Sequence, residues 1–355
     1  MEIKVIGTGS YVPERTLTNE DLEQIVETSD AWIRERTGIG SRRITEAGTT
    51  AMAVEAAKRA LEMAQTAPEA LDLIIVGTST GDCLFPGTAC EVQAALGAAG
   101  AACFDLSAAC SGFLFSLNTA CVYLESGAYQ RALVIGADTL SKTVDWSDRS
   151  TCILFGDGAG AAVFERVEAA GGETGADGRK RADPDGSAGG RMQKTWGHES
   201  RVGPFIMKAD GGRGEVLHCA GTPLRNPFIK EETGNKEKGF GYMTMNGQEV
   251  FRFAVKTVPE VLEALLEKAE VPPEDIRYFI LHQANERIIA AVAKRMKQPI
   301  EKFPMNLERY GNTSGASIPI LLDEMNREGK LARGDKLALA GFGAGLTWGA
   351  TLLLW

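Results

Sequence analysis

Short apolar runs alternate along the chain with longer stretches in which apolar residues recur every three or four positions, the pattern of an α/β protein with buried strands. The runs Leu71–Val76, Ala101–Leu106, Ala132–Ile135, Ala159–Phe164, Tyr278–Leu281, Lys336–Ala340 and Ala350–Leu354 predict strands. The opening run, ended by Gly, Ser and Pro, predicts one more. Helical spacing predicts helices over Thr50–Gln65, Thr88–Leu96, Gly112–Ser126, Gln248–Glu270, Glu286–Lys297 and Ser314–Glu328. The order of these elements is alike in the two halves, which predicts duplicated α/β units, although their residue identity is too low for a sequence repeat. Between them Ala169–Gly190 is rich in Gly, Asp and charge and nearly lacks large apolar side chains, so a mobile surface insertion is expected there.

Composition narrows the function classes. The chain has 355 residues and a net charge of -9, which argues against a general nucleic-acid binder while leaving room for a local basic patch. No run reaches the roughly 20 apolar residues of a membrane span, and the opening segment does not read as a signal peptide. The 7 cysteines show no CxxC spacing, so a reduced cytoplasm is expected rather than a disulfide framework, and a structural zinc site is not expected.

One cysteine differs from the rest. In Asp105–Phe113, DLSAACSGF, a small apolar strand turns into a helix at Cys110. A thiol at a helix N-terminus lies beside unpaired N–H groups and the positive end of the macrodipole, which favour the thiolate and make Cys110 a candidate nucleophile. The other six read as inert core. Of the 3 histidines, His198 and His218 read as structural or exposed. His282 directly follows the run Tyr278–Leu281 and so stands at the C-terminal end of a strand, where open α/β folds form their sites. Asn312, in YGNTSGAS, reads locally as a cap or left-handed turn residue, and the GFGAG turn Gly341–Gly345 permits close approach of a ligand.

Taken together, GTGSYVPERTLTNEDLE, TSDAWIRERTGI, the cysteine segment, DRSTCILFGDGAGAAV, HQANERII, ERYGNTSGASIP and GFGAGLTWG resemble the thiolase superfamily, and within it the β-ketoacyl-acyl carrier protein synthase III family. The resemblance covers nearly the whole chain. It implies a thiolase-like five-layered αβαβα fold from two similar halves, divided as 1–168, an insertion over 169–199, and 200–355, in a homodimer. It also implies the catalytic set Cys110, His282 and Asn312. Relatives that elongate chains carry a second histidine where Asn312 stands, and biosynthetic thiolases carry a second cysteine near the C-terminus, whereas none lies beyond Cys219 here.

The implied reaction takes an acyl group from acyl-CoA onto Cys110 and condenses it with malonyl-acyl carrier protein after decarboxylation, with no metal and no cofactor. Backbone N–H groups of Cys110 and Ala344 would form the oxyanion hole. Many relatives have glycine at position 344, and alanine there would cost about 1 kcal/mol if the turn needs φ > 0. Trp32, Arg36 and Arg149 match CoA contacts, and Phe85 matches a position that shapes the acyl pocket across a dimer interface. Helical spacing puts Arg287, Lys294 and Arg295 on one side, opposite Ile288, Ile289, Val292 and Met296. Carrier proteins are acidic, so this stripe, with Arg252, is the expected docking surface. The alternative is a related Cys-His-Asn condensing enzyme of polyketide or secondary-metabolite synthesis.

Overall fold

The computed structural model describes residues 2–167, 201–221 and 241–355. The expected insertion and His198 lie outside the described residues. The strands that position the site are β1 (Glu2–Tyr11), β2 (Leu73–Gly77), β3 (Ala102–Leu106), β4 (Arg131–Thr139), β5 (Asp157–Val167), β6 (Arg201–Ala209), β7 (Tyr278–Leu281), β8 (Lys336–Gly343) and β9 (Thr347–Leu354). The helices are α1 (Asp30–Thr37), α2 (Gly48–Ala64), α3 (Thr88–Leu96), α4 (Gly112–Ser126), α5 (Gly247–Ala269), α6 (Glu286–Arg295) and α7 (Ser317–Arg327).

One sheet has the order β1-β5-β4-β2-β3 and the other β7-β8-β9-β6. In each, a parallel pair leads into an antiparallel ladder: β4 lies parallel to β2 and antiparallel to β5, and β8 lies parallel to β7 and antiparallel to β9. The first sheet has an additional parallel strand, β3, with no counterpart in the second among the described residues.

Burial explains the layering. Leu73–Gly77 and the Ala132–Thr139 portion of β4 are buried throughout, so both faces of their sheet need cover. Helices α2 and α3 pack on one face, with Met52, Ala56, Ala60, Ile74, Ile135 and Ala161 in their shared core. On the other face α4 and α7 form a middle layer, where Phe113, Leu117, Ile318 and Leu321 meet residues of both sheets. Helix α5 covers the second sheet with α6 beside it, through Phe253, Leu262, Leu265, Ile289 and Val292. The result is five layers, helix-sheet-helix-sheet-helix.

Most element boundaries lie within about two residues of the pattern-based ones, as frayed ends allow. The pattern missed β6, whose Gly203–Pro204 interrupts the apolar run on an edge strand, and the short, polar helix α1. The cysteines also differ from expectation: Cys121 and Cys152 are core, but Cys83, Cys90 and Cys219 are exposed, and all are free. Among the described residues, no helix is long and apolar enough to cross a membrane, and no cluster of His, Cys, Asp and Glu could hold a metal ion.

Candidate active site

After β3 the chain enters a 3-10 turn, Ala109–Ser111, before α4 begins at Gly112. Cys110 therefore sits in a tight turn ahead of the helix rather than in its first α turn. Ala109 takes a left-handed φ of 46°, a conformation that costs a non-glycine residue on the order of 1 kcal/mol. Neighbouring bonds hold the turn: the Ser111 hydroxyl donates to the Thr347 carbonyl at 3.2 Å, and the Thr347 hydroxyl lies 3.1 Å from the Ala108 carbonyl and 3.0 Å from that of Ala344. Gly343 lets β8 run against Cys110, since a Cβ there would lie 2.7 Å from the Cys110 nitrogen. Burial pushes the Cys110 thiol up to about 12, opposed by a hydrogen bond from Ser314 and reinforced by the nearby Asp138 carboxyl, whose own pKa burial also raises. The helix-terminus argument expected a thiolate, but desolvation prevails and the resting group is the thiol.

His282 continues the strand pairing of β7, its N–H donating to the Ala340 carbonyl at 2.9 Å. Its ring meets Phe342 edge-on at 5.5 Å, and its Nδ1 lies 2.7 Å from the Ser317 hydroxyl oxygen. The Gln283 N–H donates to that same oxygen at 3.3 Å, so the hydroxyl is held in place beside the ring; when it donates to Nδ1, the ring proton stands on Nε2. Burial lowers the His282 pKa to about 3, so the imidazole is neutral at neutral pH. Asn312 is fixed by its backbone, which donates to the Leu154 carbonyl at 2.8 Å and accepts from the Gly156 N–H at 3.0 Å. Its Oδ1 accepts from the Ser314 N–H at 2.9 Å, so the turn-capping reading and a free carboxamide N–H₂ coexist.

Cys110, His282 and Asn312 line one cavity of about 800 Å³, and each is buried. The same cavity is bordered by Trp32, Arg36, Arg252 and Arg287. The Arg36 and Arg149 guanidiniums lie 4.4 and 5.0 Å from the centre of the Trp32 ring, within cation–π range. Arg149 touches the site only through that ring and also donates to the Glu27 carbonyl at 2.8 Å. Lys294 and Arg295 are exposed on α6 outside the cavity lining, and Arg295 pairs with Glu260 at 3.3 Å. Ile288, Ile289, Val292 and Met296, on the opposite side of that helix, are buried. Phe85 is outside this chain's cavity lining and 85% exposed. His218 pairs in a short ribbon with Thr244 and is not among the lining residues.

Ala344 is not a lining residue of the cavity either, although Thr347 bridges its carbonyl to that of Ala108, two residues before Cys110. Its φ is not positive; the left-handed position of this turn belongs to Gly345, at φ 133°. Alanine at 344 therefore carries none of the strain anticipated for it. Residue patterns gave no role to Ser314, Ser317, Phe342 or Asp138, all of which contact the candidate set or its supporting turn. Two of them stand in the YGNTSGAS segment, but nothing in local sequence tells which of its hydroxyls face inward.

Comparison with known proteins covers almost the entire chain. Residues 104–178 match the model of the 3-oxoacyl-[acyl-carrier-protein] synthase III family, and residues 266–355 match that of its C-terminal region. The chain is 46% identical over 354 residues to the β-ketoacyl-[acyl-carrier-protein] synthase III of Clostridium novyi, covering 99% of each chain. It is 47% identical to the protein of that name from Synechococcus, covering 99% of this chain and 96% of the relative. Among solved structures, the 3-oxoacyl-[acyl-carrier-protein] synthase III of Aquifex aeolicus superimposes with a TM-score of 0.84 at 46% identity, covering 99% of this chain and 100% of that one.

Proposed function

Because the chain belongs to the 3-oxoacyl-[acyl-carrier-protein] synthase III family, a family of acyltransferases with the thiolase fold, we propose how its own residues carry that reaction. Cys110 attacks the thioester carbonyl of an acyl-CoA; the bond to the CoA sulfur breaks, and the thiol's proton ends on released CoA. Malonyl-acyl carrier protein then loses carbon dioxide, and its enolate carbon attacks the acyl-Cys110 carbonyl. The carbon–sulfur bond to Cys110 breaks, giving 3-oxoacyl-carrier protein and the Cys110 thiolate. No metal or organic cofactor enters these steps.

The observation that carries this reading is the convergence of a thiol, a neutral imidazole and an oriented carboxamide at the buried end of one cavity. With the Ser317 hydroxyl donating to Nδ1 of His282 and the Ser314 N–H donating to Oδ1 of Asn312, each side chain keeps an N–H for the enolate oxygen. The neutral imidazole, held so by burial, donates a hydrogen bond without surrendering a proton as an imidazolium would. Backbone N–H groups of Cys110 and Ala344 are assigned to the tetrahedral intermediate.

Trp32, Arg36 and Arg149 are assigned to CoA, the indole for the adenine and the guanidiniums for stacking or phosphate. Arg287 and Arg252 border the cavity and are the first choice for the acidic carrier protein, with Lys294 and Arg295 further along α6. A homodimer is assigned through the free edge strand β3, beside which the apolar residues Leu84, Phe85 and Val122 are 82%, 85% and 59% exposed. In that assembly Phe85 would reach the partner's acyl pocket. The halves 1–168 and 200–355 are assigned as the two thiolase-like units and the cytoplasm as the compartment. The polyketide alternative is not favoured by the full-length similarity to fatty-acid-type synthases.

Intact-protein mass spectrometry with a panel of straight and branched acyl-CoAs tests the reading. A single adduct that requires Cys110 and disappears on addition of malonyl-acyl carrier protein supports it, and absence of any adduct on Cys110 contradicts it.

A further inference from the structure

Arg42 is wholly buried, and the reaction as described gives it no part. It stands in the short strand Ser41–Arg43, which pairs antiparallel with Thr16–Thr18. Its Nη1 donates to the Leu17 carbonyl at 3.2 Å and to Oδ1 of Asn19 at 2.9 Å, and its Nη2 donates to the Ile153 carbonyl at 2.7 Å. None of these acceptors is a carboxylate. Burial lowers the Arg42 pKa only to about 10, so the group stays a cation at neutral pH. A charge buried against neutral acceptors is costly, and an apolar side chain would fill the same space without that cost. What the guanidinium holds in place is therefore the question.

It holds the strip of chain from which Asn312 hangs. Ile153, Leu154 and Phe155 line the active-site cavity. One residue after the carbonyl that Arg42 engages, the Leu154 carbonyl accepts from the Asn312 N–H at 2.8 Å. The Gly156 N–H donates in turn to the Asn312 carbonyl at 3.0 Å, which completes a parallel bridge between Phe155 and Asn312. The stem of Arg42 lies against both sides of this bridge: a Cβ on Gly156 would come within 3.1 Å of the Arg42 Cβ, and one on Gly311 within 3.3 Å. The Cys110 turn is held instead through Ser111, Thr347 and the close approach of Gly343.

We propose that Arg42 is a positioning residue for condensation: by fixing the peptide between Ile153 and Leu154, it sets where the Asn312 carboxamide N–H₂ stands relative to the enolate oxygen. A peptide is planar, so a guanidinium on its carbonyl also orients the chain that leads directly into the Leu154 carbonyl. An oxyanion donor works only where it is aimed, and a displacement of about 1 Å can cost about a hundred-fold in rate. Acyl loading does not share this support. Asn19 binds Asp30 and the Ile39 carbonyl, both at 2.8 Å, without Arg42, and so anchors α1 with its Trp32 and Arg36 independently. The proposal rests on reading Asn312 as a donor to the enolate.

The test is a double-mutant cycle of Arg42→Met, Asn312→Ala and the double variant in the full-length protein. Each is followed by intact-protein mass spectrometry, first as adduct formation from acyl-CoA and then as loss of the adduct on adding malonyl-acyl carrier protein. Methionine keeps an apolar stem and removes the donors. Condensation in Arg42→Met is expected to fall about ten- to a hundred-fold while loading stays within about threefold of wild type. In the double variant condensation should lie within about threefold of Asn312→Ala alone, because nothing remains to be positioned. Arg42→Lys, which keeps the charge and an N–H donor, should fall less than Arg42→Met. Equal loss of both half-reactions, losses that multiply in the double variant, or unchanged condensation in Arg42→Met overturns the proposal. If Arg42→Met gives no cooperative urea transition, the same cycle is run with Arg42→Lys. There a fall in condensation that vanishes in the Asn312→Ala background supports the proposal, and no fall, or one that persists, overturns it. Wild-type condensation in Asn312→Ala alone would overturn the reading of Asn312 and the proposal with it, whereas a slow Asn312→Ala beside a normal Arg42→Met overturns the proposal only.

Discussion

The turn that carries Cys110 and the turn that carries Asn312 are built alike and equipped differently. Each leaves a 3-10 turn for a helix of the middle layer, Ala109–Ser111 into α4 and Ser314–Ala316 into α7, and each opens on a non-glycine residue in the left-handed region. They face each other across a short gap: a Cβ on Gly315 would lie 3.4 Å from the Ala109 carbonyl oxygen, and the Ser314 hydroxyl lies 3.5 Å from the Cys110 sulfur. In the first turn the second residue is Cys110, the proposed nucleophile. In the second it is Gly315, so that turn brings no side chain of its own there and instead presents Asn312 and Ser314 from just before and at its start. Under the proposed function the two similar turns divide the work: one carries the acyl group, and the other supplies donors that stabilise charge.

If that division holds, mutations in the two turns separate by half-reaction. The largest effect is expected for Cys110→Ala, which should reduce acyl loading by about 10⁴-fold or more, measured as acyl adduct after incubation with acyl-CoA. His282→Ala and Asn312→Ala should slow condensation by about a hundred- to a thousand-fold, the usual cost of one lost oxyanion donor, when release of the acyl group is followed after adding malonyl-acyl carrier protein. Arg287→Glu should raise the KM for the carrier protein by about tenfold, with a weaker salt dependence, and leave CoA-dependent loading within about twofold of wild type. Similar damage to both substrates would show Arg287 to be structural.

The smallest effect is a negative one, on pH. With the His282 pKa lowered to about 3 by burial, condensation by pre-acylated enzyme should show no ionisation near the ordinary histidine value of 6.5. The same shift bears on stability. The unfolded chain takes up a proton near 6.5 that the folded chain refuses, so stability present above 6.5 is lost as pH falls toward 3. Urea unfolding at several pH values should show this slope in wild type and a shallower one in His282→Gln.

Much of this was legible in residue patterns, for reasons that differ by element. Strands such as Leu73–Gly77 are buried on both faces and so appear as unbroken apolar runs. Cys110 and His282 could be singled out because each lies just beyond a strand, where a change of periodicity marks the end of the sheet. The layer order, the role of Asn312 and the CoA set came from family resemblance and not from spacing.

What stayed hidden depends on contacts between distant positions. Ser317 meets His282 across 35 residues, Gly315 meets Asp138 across 177 and Ser314 meets Cys110 across 204, and no local pattern records such pairings. Nor could the left-handed Ala109 and Ser314 be read from sequence, since neither is a residue type that favours that conformation. The helix-terminus argument for a thiolate failed because it weighed a dipole without knowing the burial of the thiol, which favours the protonated form.

The most direct test of the division of labour is a single-turnover mass measurement on Asn312→Ala: acyl-CoA is added, the adduct on Cys110 is timed, and malonyl-acyl carrier protein follows. The account predicts an adduct that forms within about threefold of the wild-type rate and then persists, its conversion slowed about a hundred-fold or more. Equal loss of loading and condensation would contradict it, because Asn312 would then support the nucleophile itself rather than the charge that develops after decarboxylation.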